Sequence, residues 1–363
     1  MTPRALTVTK PTRLILVGGF LGAGKTTALQ ALAQSLLDSG LSVGFVTNDQ
    51  ATDLVDTRTL GRLQLPIAEV AGGCFCCKFD DLIASAEQVL QTGPDVLLCE
   101  PVGSCTDMAA TVLAPLRRYY PDAFLLSPFT VLVEPERYAE MASLPESVRY
   151  IFEKQLEEAD IIAANKIDTL SEDATIDLLQ ALATRYGKPT IPFSAHQGHG
   201  IDEWRSLLLR ESAEIDSLSE IDYDLYAEGE AVLGWLNATA RLSGFVKPEP
   251  FLTALMEQLQ RACQMESAAI AHLKASLSGS DGFARANLTQ THGTIALETS
   301  DAVLSGETTL VVNARIAMAP ERLRQLVEEA IEQTATSAGI RAELLTMQSF
   351  RPGYPTPPYR ITA

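Results

Sequence analysis

Residues 19–26 read GFLGAGKT, and this stretch decides the fold. It fits the pattern G-x-x-x-x-G-K-[ST] and lies between the apolar run RLILV, which starts at Arg13, and a helical pattern. Glycines let the backbone wrap a phosphate with its N–H groups pointing inward, Lys25 places a cation against the β and γ phosphates, and the Thr26 hydroxyl binds Mg²⁺. We predict a phosphate-binding loop; the alternative is a glycine-rich turn that happens to contain Lys-Thr. The residues expected to contact the nucleotide here are Gly19, Gly22, Ala23, Gly24, Lys25, Thr26 and Thr27.

Short apolar runs alternate with amphipathic segments through the first 200 residues, which is typical of a parallel α/β fold. The strand runs are apolar throughout, as strands covered on both faces should be. We therefore predict an α/β domain built on a doubly wound, mostly parallel sheet of six or seven strands. The strands are expected at 13–17, 43–47, 95–99, 129–133, 160–164 and 189–193, and the first two helices at 26–38 and 78–91.

A second motif, NKID at 165–168, follows the apolar run DIIAA and so lies at a carboxyl strand edge, where ligands of doubly wound sheets bind. Asp168 can accept from N1–H and N2–H₂ of guanine together, a pairing that adenine cannot offer. The Lys166 stem would cover the ring, and Asn165 would tie the loop down. With the phosphate-binding loop, NKID predicts a GTPase. Ser194 and Ala195 either offer a backbone N–H to the guanine oxygen or form a plain turn.

Glu100 closes the strand at 95–99, where a nucleotide-binding sheet places its acidic magnesium ligand. We expect Glu100 to hold Mg²⁺ through a water, beside Thr26, and the N–H of Gly103 to sense the γ-phosphate. The alternative is a glutamate that only caps the strand end. The segment 48–58 is a switch candidate, with Asp49 as its catalytic candidate. The predicted catalytic residues are Lys25, Thr26, Glu100 and Asp49.

Cys74, Cys76 and Cys77 lie within four residues, preceded by two glycines. Three thiolates on one loop can converge on a soft or borderline ion such as Zn²⁺ and leave a fourth position for an exchangeable ligand. The alternative is a redox-reactive or merely buried trio, since vicinal Cys76 and Cys77 can form a strained disulfide. Cys105 is conceivable as a fourth ligand, although for Cys99, Cys105 and Cys263 we expect core packing.

The whole chain has 363 residues, 46% of them hydrophobic, with a formal net charge of −18. Such a charge repels a phosphate backbone, so we expect no nucleic-acid partner. No apolar run approaches the roughly 20 residues that cross a bilayer, and no secretion signal precedes the first strand. We expect a cytoplasmic protein without membrane contact, whose clustered thiols sit in a reducing compartment.

The segment 211–230 carries many acidic and no basic residues, which predicts a solvated linker. We therefore expect five parts along the chain, the last being rich in proline. They are an N-terminal tail at 1–12, a P-loop GTPase domain at 13–210, an acidic linker at 211–230, a smaller C-terminal α+β domain at 231–350 and a tail at 351–363 that is extended on the surface or disordered.

Taken together, GFLGAGKT, the C-x-C-C at 74–77, the E-x-x-G at 100–103 and NKID resemble the CobW branch of the CobW/HypB/UreG GTPases over roughly residues 13–205. The resemblance implies a slow GTPase that couples its nucleotide state to metal binding at Cys74, Cys76 and Cys77. It also implies delivery of Zn²⁺ or Co²⁺ to a client metalloprotein and a nucleotide-dependent homodimer. The four histidines form no metal-storing run.

Two other functions stay open at the level of the sequence. A GTP-gated activator would reshape a cobalamin- or metal-dependent enzyme without moving an ion. A P-loop kinase for a small molecule would use the phosphate-binding loop equally well, but it would leave NKID without a role. A preference for ATP over GTP would favour the kinase.

Overall fold

The computed structural model of the chain describes residues 10–49, 65–210, 220–299 and 303–362, together with residues 4, 6, 8, 212, 213, 215 and 218. The described residues divide into two compact units. The first holds the chain up to Gly229 and again from Tyr354 onward, and the second holds Glu230–Gly353.

A parallel sheet forms the centre of the first unit. Its strand order is β3-β2-β4-β1-β6-β7-β8, and β5 also pairs with β1. Every pairing in this sheet is parallel. The strands are β1 (Thr12–Gly19), β2 (Val43–Asp49), β3 (Ile67–Ala71), β4 (Val96–Glu100), β5 (Phe124–Leu126), β6 (Thr130–Val133), β7 (Ile161–Ala164) and β8 (Thr190–Pro192).

The helices of this unit connect the strands, and their apolar stripes bury against the sheet. Helix α1 shows why: Leu29, Leu32 and Ala33 are buried on one side, and Gly40 follows the helix in the left-handed region at φ 82. The helices are α1 (Lys25–Asp38), α2 (Phe79–Leu90), α3 (Ala114–Tyr119), α4 (Pro135–Glu140), α5 (Glu146–Glu157), α6 (Glu172–Tyr186), α7 (Ile201–Arg210) and α8 (Tyr223–Ala231).

The predicted fold class is confirmed, with differences in detail. Strands β3 and β5 were not predicted, because both are short and β3 carries Glu69 within its apolar run. The segment predicted as an acidic linker contains α8, which buries Tyr226 completely. The sequence did not predict this helix because acidic residues dominate the segment and only one face of the short helix is buried.

The second unit is an antiparallel sheet with two helices on one face. Its strand order is β12-β11-β10-β13-β9-β14. Alternate residues of the central strands, such as Leu273 and Val312, share one core with Leu255 and Val327 of the helices. The elements are β9 (Gly234–Ser243), α9 (Pro248–Met265), β10 (Ile270–Gly279), β11 (Gly282–Leu288), β12 (Ala296–Thr299), β13 (Glu307–Ile316), α10 (Pro320–Ser337) and β14 (Arg341–Phe350).

Residues 354–362 run without helix or strand along the first unit. The Tyr359 ring is buried against Phe79, with ring centroids 5.2 Å apart, and the Ile361 N–H donates to the Ala110 carbonyl at 3.0 Å. The tail is therefore a packed segment of the first unit. Separately, none of the helices in the described part of the chain is long and apolar enough to cross a membrane.

Candidate functional site

The phosphate-binding loop joins the end of β1 to the start of α1. Gly19, Gly22 and Gly24 have φ values of 134°, 84° and 89°, a region that other residues rarely adopt. A Cβ on Gly19 would lie 2.6 Å from the Leu132 carbonyl oxygen, and a Cβ on Gly24 would lie 2.4 Å from Asn165 Nδ2. Backbone conformation and close packing therefore both require glycine at Gly19 and Gly24.

The N-terminus of α1 is prepared for an anion. Its first turn contains no acidic residue, and the positive end of the helix dipole favours a bound anion there. Lys25 is buried, and its Nζ donates to the Gly19 carbonyl at 2.8 Å. The ammonium is thus held across the loop, where it can neutralise phosphate charge.

Glu100 reaches this loop because β4 lies between β1 and β2 in the sheet. The Thr26 Oγ1 donates to Glu100 Oε1 at 2.8 Å, and both side chains are buried. Hydroxyl and carboxylate oxygens are ligands that Mg²⁺ accepts, usually together with waters and substrate phosphates. The donor set at this point therefore fits a magnesium ion.

Gly103 packs directly on the phosphate-binding loop. A Cβ there would lie 2.8 Å from Leu21 Cδ2 and 3.0 Å from the Leu21 backbone nitrogen. The segment that follows Glu100 therefore contacts the loop through a position where a side chain would crowd the Leu21 backbone.

Asn165 connects the NKID loop at 165–168, which is predicted to read the base, to the phosphate-binding loop. Its Nδ2 donates to the Ala23 carbonyl at 2.7 Å, and its Oδ1 accepts from the Ala195 N–H at 3.0 Å. The side chain is buried, so both hydrogen bonds are shielded from water. One residue thus fixes the spacing between the predicted phosphate and guanine sites.

Two side-chain pairs shape the NKID loop at 165–168. Ser194 Oγ donates to Asp168 Oδ1, which orients a carboxylate that is otherwise exposed. Lys166 has φ 67 and its Nζ forms an ion pair with Glu134 Oε1 at 2.6 Å. Ser194 therefore acts here through its hydroxyl, while its backbone N–H donates to the His199 carbonyl at 3.0 Å.

The three clustered thiols converge. The Sγ atoms of Cys74, Cys76 and Cys77 all lie within 4.8 Å of one another, and the Cys76 and Cys77 sulfurs are 3.8 Å apart. Asn48 holds their loop to the end of β2: its Nδ2 donates to the Gly73 carbonyl at 2.7 Å, and its Oδ1 accepts from the Phe75 N–H at 2.8 Å.

The pKa values of the three thiols are shifted in different directions. Hydrogen bonds from Cys105, Cys76 and Cys77 lower the pKa of Cys74 well below the usual thiol value. The thiols of Cys105, Cys74 and Cys77, and then burial, raise the pKa of Cys76. The hydrogen bond with Cys74, and then burial, raises the pKa of Cys77 to about 12. The contacts among these thiols therefore shift the pKa of Cys74 and the pKa of Cys76 in opposite directions.

Part of the predicted site lies outside the described residues. Residues 50–58 of the switch candidate are not described, and of Asp49 the structure describes only the backbone, at the end of β2. Sequence reasoning missed the tethering role of Asn48 and the ion-pairing role of Glu134. Both are polar residues at the carboxyl end of a strand, and this position was the signal in the sequence that could have identified them.

A family profile described as "CobW/HypB/UreG, nucleotide-binding domain" matches residues 13–191 of the chain. None of the curated proteins compared with the chain matches it significantly.

Solved structures with similarity to the chain include three with low TM-scores. Zn(II)-bound YjiA GTPase from E. coli is 16% identical with a TM-score of 0.38, covering 92% of this chain and 100% of that one. HypB from Helicobacter pylori in complex with nickel is 18% identical with a TM-score of 0.40, covering 55% and 86%. The hydrogenase maturation factor HypB from Archaeoglobus fulgidus is 18% identical with a TM-score of 0.38, covering 55% and 89%.

Proposed function

This chain is a GTPase whose residues 13–191 belong to the CobW/HypB/UreG family, and we propose that it is a metallochaperone. It binds Zn²⁺ or Co²⁺ through Cys74, Cys76 and Cys77 and delivers the ion to a client metalloprotein when GTP is hydrolysed.

The observation that carries the proposal is the convergence of three thiols on a tethered loop. Soft thiolate ligands favour Zn²⁺ and similar ions over Mg²⁺, and a site with three protein ligands keeps a position open for exchange. Cys74 and Cys76 are buried while Cys77 is partly exposed. A partner's ligand can therefore approach from the side of Cys77.

GTP hydrolysis at the other end of the site needs little covalent chemistry from the protein. Water attacks the γ phosphorus, the bond to the β–γ bridging oxygen breaks, and GDP leaves with that electron pair. The loop N–H groups and Lys25 stabilise the charge of the phosphates. Thr26 and Glu100 would hold Mg²⁺, which would supply positive charge to stabilise the phosphates. Asp168 would select guanine.

The two ends meet at the carboxyl edge of neighbouring strands. Glu100 ends β4, Asn48 lies near the end of β2, and Glu100 pairs with Thr47, the residue before Asn48. A change of nucleotide at Glu100 and Gly103 therefore reaches the tether of the cysteine loop within a few residues. We infer that this contact converts hydrolysis into release of the ion.

The partners follow from the same proposal. The client supplies ligands that replace the cysteine sulfurs, and protons return to the thiols as the ion leaves. The formal net charge of −18 favours a client with a basic docking face. A nucleotide-dependent homodimer, as the family resemblance implies, is part of the proposal.

Titration of the reduced protein with Co²⁺ tests the proposed metal binding by the three cysteines. We expect a thiolate-to-cobalt absorption band at one equivalent, which is lost when Cys74, Cys76 and Cys77 are replaced by serine. Cys263→Ser, in α9 of the second unit, is the matched control and should keep the band. Absence of the band in the unaltered protein, with and without GTP, would contradict the proposal. If the triple variant still activates its client, the GTP-gated activator replaces the metallochaperone.

A further inference from the structure

We propose that Cys105 is a fourth thiol ligand of the metal, alternating between a bound and a released position as the nucleotide changes. The inference rests on the proposed function and adds to it the residue that closes and opens the coordination sphere. The C-x-C-C motif ends at Cys77, and Cys105 comes 28 residues later, beyond α2 and β4.

Contact between the sulfurs is the first support. The Cys105 thiol lies within hydrogen-bonding reach of both the Cys74 and the Cys76 thiols. Cys105 is only 4% exposed, so its sulfur belongs to the buried side of the cluster. Cys77, on the more exposed side, contacts Cys74 and Cys76. In space, the Cys74 and Cys76 thiols therefore lie between the thiols of Cys105 and Cys77.

The sulfur spacing fits a tetrahedral ion. A Zn–S bond of about 2.3 Å gives a tetrahedral S–S edge of about 3.8 Å. The Cys76 and Cys77 sulfurs are 3.8 Å apart. Cys105 hydrogen-bonds with Cys74 and Cys76 but lies outside the group of three sulfurs that are all within 4.8 Å of one another. Its thiol therefore has to move closer to the other three when all four sulfurs surround one ion.

The backbone of Cys105 is fixed from α5. The buried Gln155 side chain donates from Nε2 to the Cys105 carbonyl at 2.8 Å and to the Gly103 carbonyl at 3.0 Å. The Cys105 N–H donates to the Val102 carbonyl at 3.0 Å. One amide thus holds Gly103 and Cys105 together as a single turn.

This turn joins the two ends of the site. Gly103 packs against Leu21 of the phosphate-binding loop, and the Cα atoms of Gly103 and Cys105 are at most about 7 Å apart. A shift of Gly103 between GTP and GDP states therefore moves Cys105 with it. When the Cys105–metal bond breaks, the thiolate takes up a proton, and a client ligand can occupy the vacated position.

Cys99 shows that burial alone does not place a cysteine in this cluster. It lies in β4 beside Glu100, and successive strand residues point to opposite faces. Burial alone raises its pKa, without the thiol contacts that act on Cys74. Cys99 is therefore a matched control: a buried cysteine of the same unit, six residues from Cys105.

X-ray absorption of the full-length, Co²⁺-loaded protein tests the inference by counting sulfur ligands. We expect four sulfurs in one nucleotide state, with GDP or with a non-hydrolysable GTP analogue, and three in the other. Cys105→Ala should show three in both states and bind Co²⁺ at least about 10-fold more weakly in the four-sulfur state, while Cys99→Ala behaves as the unaltered protein.

Three sulfurs in both states of the unaltered protein would overturn the inference and leave the proposed function standing. Failure of the unaltered protein to bind Co²⁺ through any sulfur would overturn both. The sulfur count of the unaltered protein decides the matter even if Cys105→Ala folds poorly. Cys105→Ser, which keeps nearly the same volume, provides the second variant, and GTP affinity reports that each variant is folded.

Discussion

At the scale of single residues, Asp168 allows the most direct test of specificity for the guanine base. Its carboxylate is oriented by Ser194 at the edge of the sheet. Asp168→Asn should weaken GTP binding roughly 10- to 100-fold, because a hydrogen bond to a charged group contributes about 1.5–3 kcal/mol. Xanthosine triphosphate should bind better than before, since the asparagine NH₂ can donate to its added oxygen. Calorimetric titration measures both affinities.

Asp177→Asn is the control for this substitution, because Asp177 is an exposed aspartate on the neighbouring helix α6. It should leave both affinities unchanged. Unaltered GTP affinity in Asp168→Asn would show that another group reads the base.

Glu158 gives a prediction about stability and pH. Burial, and then the charge of Asp107, raises its pKa from 4.5 to about 8, although the Ala109 N–H opposes the shift. The folded state then binds more protons than the unfolded state between these values, so the free energy of unfolding falls as pH rises from about 4.5 to 8. Glu158→Gln should lose this part of the slope.

Urea unfolding at several pH values, compared between the Gln variant and the unaltered protein, isolates this group from the other titrating side chains. Parallel stability profiles for the two proteins would contradict the raised pKa.

At the scale of elements, Asn48 links β2 to the cysteine loop through hydrogen bonds to Gly73 and Phe75. Asn48→Ala removes the partner of the buried Phe75 N–H and of the partly buried Gly73 carbonyl, and a buried group left unsatisfied costs about 1–3 kcal/mol. We expect faster hydrogen exchange at the Phe75 amide and roughly 10-fold weaker Co²⁺ binding, because the thiols are less well positioned. Exchange monitored by mass spectrometry and cobalt absorption measure the two effects.

The matched control is Asn237→Ala, a buried asparagine in β9 of the second unit. It should leave the exchange rate at Phe75 and the cobalt affinity unchanged. If Asn48→Ala kept both values as well, the loop would be held by other contacts.

The C-terminal tail is held by an ion pair that can be tested as an element. Arg360 Nε donates to Asp107 Oδ2 at 2.7 Å, and the Asp107 side chain is 3% exposed. Arg360 and the Tyr223 hydroxyl both donate to the buried Asp107 carboxylate. Arg360→Ala removes the first of these donors and should therefore destabilise the protein by about 1–3 kcal/mol.

Asp107→Asn in the same chain should recover part of that loss, because it removes the buried charge. Asparagine also tolerates the left-handed backbone of position 107, where φ is 64. Thermal unfolding of both single variants and the double variant completes the cycle. Additive losses would show that the two side chains do not interact.

At the scale of the whole molecule, the features that could be predicted from the sequence are those encoded in short, contiguous motifs. The loop at 19–26 and NKID carry their spacing within a few residues, and the parallel sheet that they indicate is confirmed. The role of NKID in reading guanine stays a prediction. The smaller C-terminal α+β domain was also predicted, and the structure builds it with two helices of 18 residues each, α9 and α10.

Contacts between distant segments could not be read in this way. The tether from Asn48 to Phe75 and the approach of Cys105 to Cys74 depend on how neighbouring strands align. The docking of Tyr359 on Phe79 joins a proline-rich segment without periodicity to a helix 280 residues earlier. Such contacts are set by tertiary packing, which no local pattern records.

The central claim is that nucleotide and metal occupy coupled sites, and coupling of binding is reciprocal. The most direct test measures the affinity of the reduced protein for a non-hydrolysable GTP analogue and for GDP, each with and without bound Zn²⁺. We predict that Zn²⁺ changes the ratio of the two affinities by about 5- to 150-fold, and that the change disappears when Cys74, Cys76 and Cys77 are serine. An identical ratio with and without Zn²⁺ would contradict the account.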